Sequence, residues 1–202
     1  MYRLQKFLED ENKFFCFDVD DILLDTTAHW INLINNDKEC ITILKQKNKY
    51  PLKIEDWTSW NAIPDLLGDI TFKFHDNNEI YEKYILTKYS IELIRLVKDI
   101  IGANRIKFIT ASRGNKLKLK EDILIKEFGI DKKYIYHTSD KTNLYIGNFV
   151  LDDAIHNLQP ILEDIDTIGV ILNKPWNKDF KHSNVNRIEC LQELILKIKE
   201  VI

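Results

Sequence analysis

The chain of 202 residues is long enough for one sizeable hydrophobic core with a small inserted subdomain. Hydrophobic residues make up 45% and charged residues 30%, and the net charge of −3 favours neither a broad nucleic-acid-binding surface nor a membrane-binding one. The sequence contains no apolar stretch of about 18 residues, so no membrane span is predicted. Three widely spaced cysteines, Cys16, Cys40 and Cys190, predict neither a disulfide framework nor a zinc site. These features fit a globular protein of the reducing cytoplasm.

Five short apolar runs predict the strands of a buried parallel sheet. They cover residues 14–19, 106–109, 134–136, 149–151 and 167–172. Continuous rather than alternating apolar residues are typical of strands that are covered on both faces. Apolar residues at helical spacing lie between these runs, over 93–101, 117–128 and 191–201, and strand and helix patterns alternate from residue 105 onward. Gly102 and Gly129 follow the first two helical patterns, where helices commonly end. The order predicts an open α/β fold.

Residues 25–89 interrupt this alternation and are called the helical insertion below. They show no convincing strand pattern and hold three of the four tryptophans, Trp30, Trp57 and Trp60. We interpret them as a helical cap inserted after the first strand, into an α/β core formed by residues 1–24 and 90–202. Ligands of such sheets bind outside the carboxyl ends of the strands, so the helical insertion is expected to act as a lid.

Two pairs of carboxylates follow predicted strands. Asp18 and Asp20 follow the first strand, and residues two apart on an extended chain point the same way. The two carboxylates are therefore expected to share one small volume unless the chain turns. Such crowding of negative charge is unfavourable without a cation, and carboxylate oxygens suit Mg²⁺. Asp152 and Asp153 follow a later strand in the same manner. The alternative for each pair is a solvated turn or a helix cap.

A hydroxyl and a lysine complete the pattern. Thr110 follows the second strand, and Ala111 and Ser112 lead into the next helix. A hydroxyl and free backbone N–H groups at a helix N-terminus suit a phosphate, although such hydroxyls also commonly cap helices. Lys141 lies in a turn, where a lysine is usually a solvated charge. The two acid pairs, the hydroxyl segment and the lysine indicate a functional site more specifically together than alone, because they occur in this order at strand ends.

This order of motifs resembles the four-motif signature of the haloacid dehalogenase superfamily. The resemblance implies an α/β, Rossmann-like core with a central parallel sheet and an inserted helical cap. It also implies Mg²⁺-dependent hydrolysis of a small phosphate monoester through an aspartyl-phosphate, with Asp153 orienting a bound water or Lys141. It assigns catalysis to Asp18 and Asp20, metal binding to Asp18, Asp20 (through its backbone carbonyl) and Asp152, and phosphate binding to Thr110, Ala111 and Lys141.

Finer features resemble the 5′(3′)-deoxyribonucleotidase family. These are Asp140-Lys141-Thr142, the segment 147–153 and the loop 173–177, Asn-Lys-Pro-Trp-Asn. The resemblance implies a nucleoside monophosphate as substrate. One departure is Asp21, which stands where the family usually has Gly. Aromatic residues of the helical insertion are candidates for a base pocket, although such residues more often form a core; they are Trp30, Trp57, Trp60 and Phe72.

Two other functions stay open at this point. One is a phosphatase for another small ester, either a sugar phosphate or a polynucleotide 3′-phosphate, although the near-neutral charge disfavours a polynucleotide. The other is a catalytically silent binding module of the same fold, which the intact Asp18 and Asp20 pair disfavours. No stable nucleic-acid complex and no membrane partner are expected. The sequence leaves open whether the chain is a monomer or a homodimer.

Overall fold

A six-stranded parallel sheet forms the centre of the computed structural model, which describes residues 2–75, 77–112 and 114–202. The spatial order of the strands is β3-β2-β1-β4-β5-β6. Their bounds are β1 (Phe15–Phe17), β2 (Ile106–Thr110), β3 (Ile135–His137), β4 (Phe149–Asp152), β5 (Ile168–Leu172) and β6 (Val185–Ile188).

Eleven α-helices are described along the chain, and they surround the sheet or lie in the helical insertion. The first six are α1 (Tyr2–Glu9), α2 (Thr26–Asn36), α3 (Lys38–Gln46), α4 (Ala62–Leu67), α5 (Phe72–His75) and α6 (Glu79–Glu82). The others are α7 (Ser90–Ile101), α8 (Asn115–Phe128), α9 (Thr142–Tyr145), α10 (Ile155–Leu158) and α11 (Leu191–Lys199). None of the helices in the described part of the chain is long and apolar enough to span a membrane.

Apolar side chains cover both faces of the central strands. Phe15 and Phe17 of β1 belong to one hydrophobic cluster, whereas Cys16 between them belongs to a second cluster on the opposite face. Neighbouring strands continue this division, and the rings of Phe15 and Phe149 stack with centroids 4.4 Å apart. Because both faces of these strands are buried, their sequences consist of consecutive apolar residues. The predicted α/β fold with a central parallel sheet is therefore confirmed.

The three predicted helices are present as α7, α8 and α11. Gly102 and Gly129 end α7 and α8 with φ of +82° and +58°, a region in which glycine is favoured. Elements that were not predicted include α1, α9 and β6. Strand β6 lies at the edge of the sheet and buries only Ile188 of its four residues, so it lacks the apolar signal of the central strands.

The helical insertion leaves and rejoins the core through two adjacent segments. Asp25 N donates to Ile85 O at 2.8 Å, and Thr87 N donates to Leu23 O at 2.9 Å. Between these points lie α2 to α6, which pack around a hydrophobic cluster separate from the two at the sheet. The cluster contains Ile34, Cys40, Leu44, Leu52, Ile63, Leu67 and Phe74. These two hydrogen bonds hold the first and last residues of the helical insertion together, next to the loop that follows β1.

Candidate active site

The carboxyl ends of β1 and β4 bring three aspartates together. Phe17 of β1 is in register with Leu151 of β4, and Asp18 N donates to Leu151 O at 3.0 Å. One oxygen atom from each of Asp18, Asp152 and Asp153 lies within 4.8 Å of the others. All three residues are buried, and Asp152 is 0% exposed. We call these three residues the acidic cluster.

Lys141 provides the positive charge in contact with this cluster. Its Nζ atom lies 2.8 Å from Asp18 Oδ1 and 3.2 Å from Asp152 Oδ2. The lysine, which directly precedes α9, is itself buried. Burial alone would lower the pKa of Lys141, but the charges of Asp152 and Asp18 outweigh it and raise this pKa. The turn lysine of the sequence is therefore a buried ammonium group shared by two carboxylates.

The acidic cluster holds more negative charge than one ammonium group can balance. Burial, together with repulsion from Asp152 and Asp20, raises the pKa of Asp18 to about 7 against the opposing charge of Lys141. Burial also raises the pKa of Asp153 well above its ordinary value, with added repulsion from Asp21 and Asp152. Three converging carboxylates with oxygen donors only are the ligand set that Mg²⁺ prefers. The residues present therefore fit a hard divalent cation.

Hydrogen bonds fix the carboxylate of Asp152 in place. Its Oδ2 atom accepts from Tyr145 Oη at 2.7 Å and Asn157 Nδ2 at 3.0 Å, and its Oδ1 atom accepts from Ala154 N at 2.8 Å. Asp18 Oδ1 accepts from Val19 N at 2.7 Å. Contacts of this kind hold ligand carboxylates in orientation before a cation arrives. The sequence analysis identified neither Tyr145 nor Asn157.

The carboxylate of Asp20 lies beside the acidic cluster and is not part of it. The chain turns after Val19, whose carbonyl accepts from the backbone N–H groups of Leu23 and Leu24. The Asp20 carboxylate pairs with Lys120 and accepts a hydrogen bond from Tyr81 Oη at 3.2 Å. Because the chain turns here, the carboxylate that joins Asp18 and Asp152 in the cluster is that of Asp153 and not that of Asp20. A ligand role for the Asp20 backbone carbonyl stays a prediction.

Lys120 connects Asp20 to Thr110. It is 1% exposed, and its Nζ atom donates to Thr110 Oγ1 at 2.8 Å. Since an ammonium group only donates, Thr110 uses its oxygen as the acceptor here and keeps its own hydrogen for another partner. Lys120 lies in a lysine-rich stretch of α8 that resembles solvated surface. The signal that could have revealed it is its helical spacing from Leu124 and Phe128, with which it shares the buried face of α8.

Asp21 adopts a backbone conformation that favours glycine, with φ of +57°. Its carboxylate accepts from Thr27 N at 2.9 Å and Thr27 Oγ1 at 2.7 Å, in the first turn of α2. Aspartate tolerates this region better than most residues. The residue that departs from the expected glycine therefore ties the loop after β1 to the start of the helical insertion.

The aromatic candidates for a base pocket lie in different surroundings. Trp30 contacts Trp57 with ring centroids 6.0 Å apart, and both pack against the hydrophobic cluster of the helical insertion. Trp60 is 57% exposed and meets the ring of His156 edge-on at 5.1 Å. The side chain of Phe72 lies outside the described residues. Of these tryptophans, Trp60 offers the most surface to a ligand.

Searches with the sequence find no family model and no curated protein that matches this chain. Solved structures, by contrast, share its fold. One is a HAD hydrolase, family IA, variant 3, from Entamoeba histolytica HM-1:IMSS, with 13% identity and a TM-score of 0.56, covering 94% of this chain and 98% of that one. A HAD family hydrolase from Deinococcus radiodurans R1, with bound phosphate and sodium, has 14% identity and a TM-score of 0.54 over 94% and 96% of the two chains.

A third structure is CbbY from Rhodobacter sphaeroides in complex with phosphate. It has 13% identity and a TM-score of 0.52, covering 90% of this chain and 96% of that one. HAD denotes the haloacid dehalogenase superfamily, the one whose motifs this sequence resembles. The likeness extends over nearly the whole of each chain, and it establishes that this chain has the fold of HAD hydrolases.

The raised pKa of Asp18 predicts how stability depends on pH without divalent cations. A carboxyl group whose pKa is raised by folding stabilises the fold fully below its ordinary pKa, near 4, and this stability is lost as the pH rises through about 7. In EDTA, the variant Asp18→Asn should therefore be more stable than the wild type at about pH 8, by roughly 1–3 kcal/mol, and this difference should shrink at about pH 5. Urea denaturation at both pH values measures it. A difference that does not change with pH would contradict the electrostatic picture.

Proposed function

We propose that this chain is a Mg²⁺-dependent phosphomonoesterase in which Asp18 takes the phosphoryl group. The observation that carries the proposal is the acidic cluster with Lys141 at the carboxyl ends of β1 and β4. Ligands of parallel α/β sheets bind at this edge. The fold shared with HAD hydrolases supports the same reaction class.

Asp18, Asp152 and Asp153 would hold the cation. When bound, Mg²⁺ supplies positive charge that offsets the repulsion between an anionic phosphate and the carboxylates, and it stabilises charge on the transferring oxygens. Lys141 adds a fixed positive charge within hydrogen-bonding distance of Asp18. The hydroxyl hydrogen that Lys120 leaves free on Thr110 is available to a phosphate oxygen.

The reaction divides into two displacements. In the first, an oxygen of Asp18 attacks phosphorus, the bond to the ester oxygen breaks, and Asp20 in its protonated form gives that oxygen its proton. In the second, Asp20 accepts a proton from water, which attacks the aspartyl-phosphate and releases inorganic phosphate and Asp18. Asp20 is suited to both steps because Lys120, in the core, and Tyr81, in the helical insertion, hold it beside the cluster.

The substrate we propose is a nucleoside monophosphate. Motifs around Lys141 and in the loop 173–177 resemble those of 5′(3′)-deoxyribonucleotidases. The helical insertion reaches the catalytic residues through Tyr81, and its exposed Trp60 meets His156 in α10, close in sequence to Asp152 and Asp153. A flat aromatic surface at that position is suited to stacking with a base. Residues 25–89 would then form the lid that selects the leaving group.

Loss of the nucleophile or of the cation should abolish activity. Asp18→Asn preserves the shape of the side chain but cannot form the aspartyl-phosphate, so turnover of p-nitrophenyl phosphate and of a nucleoside monophosphate should fall below detection. Wild-type activity should likewise vanish in EDTA and return with Mg²⁺. Asp166→Asn, at an exposed position before β5, is the matched control and should keep full activity. Undiminished hydrolysis by Asp18→Asn would rule out the mechanism.

Lys120 should be needed for catalysis although it lies within α8. Lys120→Met keeps the length of the side chain and removes the charge-assisted contacts to Asp20 and Thr110, so kcat/KM should fall by roughly 10- to 100-fold. Lys118→Met, at an exposed position on the same helix, should leave kcat/KM unchanged. Circular dichroism verifies that both variants fold. Equal kinetics for the two variants would show that Lys120 is only structural.

Trp60 distinguishes a nucleotidase from a phosphatase for other small esters. If its ring stacks on a base, Trp60→Ala should raise KM for a nucleoside monophosphate about tenfold and change kcat less, because stacking is similar in the ground and transition states. KM for p-nitrophenyl phosphate should change much less. Tyr50→Ala, which removes another exposed aromatic ring of the helical insertion, is the control. Loss of activity toward both esters alike, or a preference of the wild type for sugar phosphates, would contradict the nucleotide assignment.

A further inference from the structure

One tryptophan outside the predicted site contacts both the acidic cluster and the helical insertion. Trp176 lies in the loop 173–177, which follows β5. Its indole Nε1–H donates to Asp153 Oδ2 at 2.8 Å. Its ring lies 6.2 Å, centroid to centroid, from that of Trp57 in the helical insertion. A single side chain therefore connects a carboxylate of the cluster with the segment that we propose as a lid.

The loop that carries Trp176 is also fixed to the backbone of Asp153. Asn177 is 1% exposed, and its Nδ2 atom donates to the backbone oxygens of Asp153 and Leu172, both at 2.8 Å. Arg187 Nη1 donates to Asn177 Oδ1 at 2.9 Å. These contacts hold the backbone next to Trp176 against the backbone of Asp153. Trp176 consequently has little freedom to leave the carboxylate while the loop stays in place.

The aromatic contacts continue from Trp57 into the helical insertion. Trp57 contacts Trp30, and Trp30 packs both on the main hydrophobic cluster at the sheet and on the separate cluster of the helical insertion. A shift of the helical insertion against the sheet would therefore move Trp57 relative to Trp176. Because Trp176 also donates to Asp153, it lies on the path of contacts from the helical insertion to that carboxylate.

We infer that Trp176 is a positioning residue. It links the position of the helical insertion relative to the sheet with the orientation of the Asp153 carboxylate for cation binding. The inference rests on the proposed cation site and extends it to a residue with no contact to the reacting atoms. A hydrogen bond donated to a ligand carboxylate fixes the direction of its oxygens, and loss of such a contact typically weakens metal affinity by about 10- to 100-fold.

Mg²⁺ affinity measured by calorimetry without substrate tests the inference. Trp176→Phe keeps a flat ring against Trp57 but loses the N–H donor, so the Kd for Mg²⁺ should rise about tenfold or more. Tyr50→Phe is the matched control, since it removes the polar group of an exposed aromatic ring in the helical insertion, and its Kd should stay within about twofold of the wild type. Unchanged affinity in Trp176→Phe would overturn the inference.

The link to the helical insertion has its own test. Trp57→Leu leaves the bond between Trp176 and Asp153 intact but removes the ring contact, so it should weaken Mg²⁺ binding in the wild-type background. It should have little further effect when combined with Trp176→Phe, because the coupling passes through that side chain. Fully additive effects of the two substitutions would show that Trp57 and Trp176 act independently.

The wild-type protein provides a test that depends on no variant of Trp176. With indole nitrogens labelled with ¹⁵N, addition of Mg²⁺ should shift the Nε1–H resonances of Trp176 and Trp57 more than that of Trp60. Shifts confined to Trp60, or no indole shift at saturating Mg²⁺, would overturn the inference. A wild-type chain that binds no Mg²⁺ would overturn both this inference and the proposed function. Normal Mg²⁺ binding without hydrolysis of any phosphate ester would contradict the proposed function alone.

Discussion

The structure depends on a charge imbalance at the ends of two neighbouring strands. Asp18, Asp152 and Asp153 are buried within a few ångströms of one another, and the ammonium group of Lys141 contacts two of them. Burial of unbalanced negative charge is costly, and folding alone gives no reason to accumulate it. A site that takes up a cation and an anionic substrate gives such a reason, since the imbalance is what provides affinity for the cation.

The surrounding fold holds this imbalance in a fixed geometry. The register of β1 and β4 sets the spacing of Asp18 and Asp152, while Tyr145 and Asn157 direct the Asp152 carboxylate. The helical insertion contacts the site at two places, Tyr81 at Asp20 and Trp57 at Trp176. A third contact, Trp60 at His156, joins the helical insertion to α10. Movement of a lid with these contacts would affect both Asp20, the proposed acid and base, and the cation site.

The sequence predicted the parts of the site that follow from strand topology. Parallel strands present their carboxyl ends at one edge, so acids after two apolar runs must approach each other, as Asp18 and Asp152 do. The direction of Asp20 was not predictable from this rule, because the turn after Val19 replaces the extended chain on which the rule depends. Lys120 was missed although its helical spacing from Leu124 and Phe128 places it on the buried face of α8, because its stretch of lysines resembles solvated surface. Trp176 was missed because its position depends on a loop held by Asn177, a tertiary contact that no local pattern encodes.

The central claim is that Asp18 becomes phosphorylated during turnover. Asp20→Asn should slow the hydrolysis of the aspartyl-phosphate, because no base then activates water, so a covalent intermediate should accumulate with a phosphate ester that has a good leaving group. Mass spectrometry after acid quenching should find the mass of one added phosphoryl group on the peptide that contains Asp18, and treatment with hydroxylamine should remove it. An unmodified Asp18 in a variant that still releases phosphate, or a stable phosphoryl group on another residue, would contradict the account.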